Sequence, residues 1–212
     1  RRVRKHGPWH EAPLTADRLS VIADPLAPQP AFAIGYRTPD PVTELDRYLV
    51  YYVVAQLLGA GDSSRLRSRL IHRDHLATHV ECHLGVLGME EFFMRDPGLF
   101  QVVVYHPGTA TTETLVEAVG AEIGHLASRG PAPRDLSRAV ATSCAELWGS
   151  LGSLLSRAHI IASVEAVHGR AELVEELPHR LAAVTAADVA AAAAELASQH
   201  LALVDLQPVG AS

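Results

Sequence analysis

Tyr51-Tyr52-Val53-Val54-Ala55-Gln56-Leu57-Leu58-Gly59-Ala60-Gly61-Asp62-Ser63-Ser64-Arg65-Leu66 decides how the first half of the chain is read. Together with Val42, Leu45, Tyr48 and Leu49 upstream, its apolar residues recur at three-four spacing, which predicts a helix over 42–57. Gly59-Ala60-Gly61 stops that helix, because glycine reaches backbone angles that other residues reach only with strain. Asp62 or Ser63 then stands where an N-cap is wanted, which predicts a second helix running to about Arg73.

Upstream of this unit, Leu19-Ser20-Val21-Ile22 and Ala31-Phe32-Ala33-Ile34-Gly35-Tyr36 read as strands, separated by Asp24-Pro25 and Pro28. Downstream, residues 76–87 alternate, and Phe100-Gln101-Val102-Val103-Val104-Tyr105 is a further strand halted by Pro107-Gly108. The second half changes period. Leu115, Val119, Ile123 and Leu126 form one helical stripe, ended by Gly130-Pro131. Leu136, Val140, Cys144 and Leu147 form a second, and Leu154, Ala158, Ile161 and Val164 a third. Thr185-Ala186-Ala187-Asp188 is a capping-box variant opening an alanine-rich helix to about Ser198, and residues 201–206 read as a closing strand. Strands grouped early and helices late predict an α+β fold: an antiparallel-rich sheet with several helices packed on one face.

The chain has 212 residues, enough to bury a sizeable core, and its formal net charge is −6. Its single lysine, Lys5, sits among Arg1, Arg2 and Arg4, and the other arginines are scattered among acids. Phosphate-backbone binding needs a basic stripe, so no nucleic-acid partner is expected. Arginine in place of lysine and abundant alanine suggest a GC-rich bacterial genome. No apolar run is long enough to span a bilayer, and no membrane partner is expected. Residues 1–10 lack the apolar core of a secretory signal, and Cys82 and Cys144 form no C-x-x-C. The expected compartment is therefore reducing and cytoplasmic.

A search for chemistry mostly excludes it. A zincin requires H-E-x-x-H; the one His-Glu pair, His10-Glu11, runs into Ala12-Pro13-Leu14. The inverted motif H-x-x-E-H needs a histidine directly after a glutamate, and none of the 12 histidines has that neighbour. A P-loop needs G-K-[ST], and Lys5 precedes His6. Gly61-Asp62-Ser63-Ser64-Arg65 lacks the second glycine of a nucleophile elbow, and Gly59-Ala60-Gly61 lacks the third glycine of a dinucleotide turn. One cluster remains: His72, His75, His79 and His83, with Glu81 and Cys82 among them. If 78–84 is a strand, His79, Glu81 and His83 share a face, and such a trio can hold zinc with an open fourth position. A surface strand of mixed polar residues gives the same pattern, so no metal site is assigned to the chain.

Five stretches, in order, resemble the pitrilysin (insulinase-type) metallopeptidase family, and specifically its second, non-catalytic homologous half. They are the segment 46–66 with its glycine turn and Ser-Ser-Arg-Leu; 70–77, where a helix runs into a Leu-Ala strand start; Asp96-Pro97-Gly98-Leu99-Phe100; Leu154-Leu155-Ser156-Arg157-Ala158; and Val184-Thr185-Ala186-Ala187-Asp188-Val189. The resemblance covers some four-fifths of the chain.

It implies two related halves, each a sheet with helices on one face, closing around a peptide. Zinc is implied only in the catalytic half, on the same polypeptide or a partner subunit, with no cofactor in this chain. It further implies residues 1–18 as a connector from an upstream half and 19–212 as a single α+β non-catalytic domain. Active members carry an arginine and a tyrosine seven residues apart that help hold substrate. Laid on through Leu70 and Leu76-Ala77, these fall on Ile71 and Thr78, which do not match, so no substrate-binding or catalytic residue is carried over. The implied function is a wall of the peptide-enclosing chamber of a zinc metalloendopeptidase. The loss of the pair leaves as an alternative a pseudoenzyme that binds or assembles without peptidase activity.

Overall fold

The computed structural model describes residues 12–85 and 94–209. Two strands, β1 (Arg18–Asp24) and β2 (Ala31–Arg37), lead into helix α1 (Leu45–Gly59). A π-helix (Arg67–Arg73) and the strands β3 (His79–Leu84) and β4 (Leu99–Tyr105) follow. Five further helices come next: α2 (Thr112–Arg129), α3 (Pro133–Ser150), α4 (Leu154–His168), α5 (Leu173–Ala182) and α6 (Ala186–Ser198). The strand β5 (Ala202–Pro208) closes the order. The five strands form one sheet ordered β1-β5-β2-β4-β3. Only the β1–β5 pair is parallel; the other three are antiparallel. This is the α+β architecture expected from strands early and helices late.

Period-two alternation sends one set of side chains from β2, β4 and β3 into the core. Phe32, Ile34 and Tyr36 of β2, Phe100, Val102 and Val104 of β4, and Val80 and Leu84 of β3 are all buried there. The helices cover that face. Burial pushes the Tyr36 phenol up to about 12, so it stays protonated as a packing group.

The helical layer is organised around α1. Its residues from Tyr48 to Gly59 are buried on nearly every side, Val50 and Gln56 excepted, against β3, α3, α5 and α6. The three-four spacing predicts an amphipathic helix with one wet face; a helix enclosed by other helices has none. Gly59 is what allows this seat. A Cβ built there would lie 2.4 Å from the backbone nitrogen of Cys82 and 2.5 Å from its Cβ, so the end of α1 meets β3 backbone to backbone.

Outer elements are held by caps and side-chain bridges. Thr185 and Asp188 form both bonds of the capping box that starts α6. Gln199 replaces a missing strand partner: its amide oxygen accepts from Arg37 N at 2.9 Å and its amide nitrogen donates to Arg37 O at 3.2 Å. The Asp17 carboxylate accepts from Leu201 N and contacts His200 Nδ1, each at 3.0 Å, fastening the entry of β1 to β5. These bonds hold Asp17 below the usual carboxylate range. Of the expected connector 1–18, residues 1–11 lie outside the described residues, and Arg18 already belongs to β1.

Several sequence expectations need correcting. The second helix is wound as a π-helix, and Asp62 pairs with Arg67 at 2.9 Å rather than capping it through a backbone bond. The alternating stretch is a strand only over β3; positions 86 and 87 lie outside the described residues. The third helical stripe is only partly right. Leu154, Ala158 and Ile161 are exposed, and α4 buries Val164 together with Ile160, because α5 is its main packing partner. Helix α5 has no counterpart in the sequence reading, since Pro178 in its interior disguises it.

Replacing Gly59 with alanine is expected to destabilise the fold by about 3 kcal/mol or more, because backbone rather than a flexible side-chain end must move. A chemical denaturation curve measures this, and a Gly59→Ala chain as stable as the parent would refute the close-approach account.

Candidate functional site

The junction between the π-helix and β3 holds Ile71 and Thr78, the two positions onto which the family resemblance lays a substrate-holding pair. Its scaffold is an ion-pair cluster. Arg65 and Arg69 both meet the buried Glu122 of α2, with Arg65 Nη2 at 3.1 Å from Oε2 and Arg69 Nη1 at 3.2 Å from Oε1. Arg69 also donates to Ala118 O at 3.2 Å. The family-like Ser-Ser-Arg-Leu segment is thereby clamped to α2. Leu70 O then accepts from both Leu76 N at 2.8 Å and Ala77 N at 3.0 Å, folding the chain back into β3. His75 occupies that turn with φ 51°, the one positive φ outside glycine among the described residues.

Ile71 and Thr78 flank this turn. Ile71 is partly buried and packs against the core. Thr78 is exposed at the mouth of β3, its N–H donating to Tyr105 O at 2.8 Å and its hydroxyl to the same oxygen at 3.2 Å. An aliphatic side chain turned to the core and a hydroxyl spent on backbone offer neither a fork of charged donors nor a phenol.

The histidine cluster divides. His79, Glu81 and His83 do share the outer face of β3, as read from the alternation. His79 Nε2 lies 2.6 Å from Glu81 Oε1, and its ring is 5.9 Å from that of Tyr105. The trio fails as a zinc site because a strand advances about 3.3 Å per residue, placing His79 and His83 about 13 Å apart along it. One ion needs ligand atoms within about 2 Å of itself. Among the described residues no group of three His, Cys, Asp or Glu is disposed to hold a metal ion. The donor set therefore does not fit zinc. Cys82 points the other way, and burial pushes its thiol well above its ordinary range, which makes it an inert packing group.

Sequence reasoning missed His106. It follows β4, is buried, and stacks at a tilt on Phe32 with ring centroids 6.3 Å apart. Both ring nitrogens are buried without a hydrogen-bond partner. Desolvation lowers its pKa below the ordinary histidine value, opposed by the charge of the buried Asp205. No sequence signal marks it, because a histidine directly after a strand carries no motif.

The face of the sheet opposite the helices is laid out in rows across the strands. One runs Ile22, Leu206, Ala31, Tyr105, His79, and the next runs Ser20, Val204, Ala33, Val103, Glu81. This face is apolar and small towards β1, β5 and β2, and polar towards β3. Elsewhere, an open cleft of about 650 Å³ lies between α1, α5 and the start of α6. Three of its charged groups are already paired, with Arg180 bridging Asp46 at 2.7 Å and Glu176 at 3.0 Å.

A family profile described as the peptidase M16 inactive domain matches residues 4–143. No curated protein sequence matches the chain. Among solved structures, a protease from Helicobacter pylori superposes with a TM-score of 0.78 at 19% identity, over 91% of this chain and 45% of that one. A peptidase M16 inactive domain from Pseudomonas fluorescens gives 0.72 at 17% identity, over 93% of this chain and 45% of the other. Complex III2 from Candida albicans gives 0.74 at 14% identity, over 90% and 45%. The chain thus spans less than half the length of each of these three. At such identities the likeness carries the fold alone.

Two measurements test this site. Glu122→Ala leaves two half-buried guanidinium groups facing one another, and a loss of about 2 kcal/mol of unfolding free energy is expected. An unchanged stability would show the cluster to be mere surface pairing. For His106 the folded pKa lies below the unfolded one, so the unfolded chain takes up the proton first as pH falls. Its stability contribution is complete above the ordinary value of about 6.5 and declines on acidification below it. Between about pH 7.5 and about pH 5 the parent should lose more stability than His106→Phe, in parallel thermal melts; equal losses would remove His106 from the account.

Proposed function

Since the chain belongs to the peptidase M16 inactive-domain family, we propose that it is the non-catalytic half of a pitrilysin-like zinc metalloendopeptidase. It forms part of the wall that encloses the peptide. The observation that carries this reading is the sheet face that no helix covers among the described residues, with its apolar rows and the polar border of His79, Glu81 and Tyr105. An unfolded peptide offers apolar side chains and unpaired backbone groups, and a broad face of this mixed character accommodates both without a deep pocket. The partner in this proposal is a homologous catalytic half, on the same polypeptide or on another subunit, which holds the zinc. The same proposal puts the assembly in the cytoplasm, where the free thiols of Cys82 and Cys144 stay reduced.

A second reading, a binding or assembly scaffold without peptidase activity, is favoured by one observation: Ile71 and Thr78 are both engaged by their own domain at the junction. The two readings part in one experiment. A photo-crosslinking side chain is placed at Val103, in the middle of the bare face, or at the exposed Glu117 of α2 as control. The assembly with the zinc half is then offered an unstructured peptide. The peptidase reading expects chelator-sensitive cleavage that needs both halves, with crosslinks at position 103 well above those at 117. Assembly without any cleavage supports the scaffold. Cleavage by the zinc half alone at an undiminished rate would defeat the proposal.

A further inference from the structure

β1 closes one end of the sheet, and among the described residues nothing pairs with its outer side. The parallel ladder shows which backbone groups this leaves open. Arg18 N donates to Leu201 O, and Asp24 O accepts from Val209 N. Arg18, Ser20, Ile22 and Asp24 therefore spend their backbone groups on β5, and alternation turns the N–H and C=O of Leu19, Val21 and Ala23 outward. The same residues aim their side chains at the helical side of the sheet, where the layer stops short: Leu19 is 66% exposed and Val21 61%. Natural sheet edges are ordinarily blunted by lysine, proline, a bulge or a covering segment. The strand Arg18-Leu19-Ser20-Val21-Ile22-Ala23-Asp24 has no lysine or proline and keeps unbroken register with β5.

The strand is also complementary to itself. Turned about Val21 and laid antiparallel on a second copy, it sets Arg18 opposite Asp24, Leu19 opposite Ala23 and Ser20 opposite Ile22. Leu19, Val21 and Ala23 then exchange their outward hydrogen bonds with the same residues of the other copy. The two end pairs bring opposite charges face to face, which is attractive across strands, whereas a parallel arrangement in register would oppose like charges. We infer that β1 is an interface for a second copy of this chain, joining two five-stranded sheets edge to edge about a twofold axis at Val21. This inference concerns the sheet's edge and is independent of the peptide-facing role proposed for its bare face.

Sedimentation equilibrium of the whole chain, from about 1 to about 200 µM, reads it directly. A reversible monomer–dimer equilibrium is expected, and a chain that stays monomeric throughout overturns the inference. Val21→Pro removes an N–H that bonds nothing among the described residues and should abolish the dimer while circular dichroism stays unchanged. A dimer of unaltered affinity in that variant also overturns it. The charge-reversal arm decides independently. Arg18→Asp and Asp24→Arg should each weaken self-association about tenfold or more, since two attractive pairs become repulsive. Mixing the two single variants should restore association as a heterodimer, because each aspartate then meets an arginine. Failure of the mixture to associate rules out this register and the inference with it.

Discussion

The approach of Gly59 to Cys82 is the constraint on which the rest of the structure depends. With a hydrogen in place of a side chain, the last turn of α1 rests on the backbone of β3, whose Cys82 atoms would lie within 2.8 Å of any added Cβ. That contact sets the depth at which α1 lies on the sheet. Because α1 lies deep, its side chains from Tyr48 to Leu58 meet β3 on one side and α3, α5 and α6 on the others, with Leu49, Val53, Val54 and Leu58 wholly buried. The chain must then leave the buried helix end and return to form β3, the strand it has just touched. The Gly61 turn, the π-helix and the αL residue His75 accomplish that return, and Glu122 holds its outer side through Arg65 and Arg69.

Most of the fold is legible in the sequence where local chemistry and tertiary context agree. The strands β2 and β4 are apolar runs bounded by prolines, and both are interior strands, β4 buried at alternate positions and β2 at five of its seven. Gly130 ends α2 at φ 66°, and Thr185-Asp188 opens α6 with both capping bonds in place. The failures share a cause: residues whose local meaning is overruled by their neighbours. Pro178 ordinarily argues against a helix interior. In α5 the burial of Leu173, Val174, Leu177 and Leu181 outweighs its missing N–H. Conversely, α4 carries so many apolar residues that more than one stripe can be drawn, and only the position of α5 selects Ile160 and Val164.

Less of the site could be read in advance. That His79, Glu81 and His83 share a face follows from alternation alone, but whether they converge is a matter of distance, and a straight strand disperses them. The pairing of Arg65 and Arg69 with Glu122 joins residues more than fifty positions apart, and no pattern in a single sequence reports it. His106 is similar: its isolation between Phe32 and Asp205 exists only once β2, β4 and β5 are aligned. By contrast, the mismatch at Ile71 and Thr78 that the family resemblance implies needs only the sequence. The structure adds what each side chain does instead, one filling the core and the other seating the start of β3.

The two edges of the sheet are treated unequally, and the difference follows from where the helices end. Along β3 the inward side chains Val80 and Leu84 are fully covered, and the outward ones are charged or titratable, with His79 and Glu81 paired. Such an edge resists pairing, because an incoming strand must accommodate polar groups that already have partners. Along β1 the helical layer falls short, so Leu19 and Val21 remain exposed above the sheet while Ile22 is exposed below it. Burying one edge under α1 and leaving the other bare are two outcomes of one placement. A helical layer whose sheet contacts centre on β3 and β4 cannot also reach a strand that lies beyond β5. Among the described residues the apolar character of β1 therefore has no explanation within the domain's own core, and an edge of that kind is what pairing with a second copy would cover.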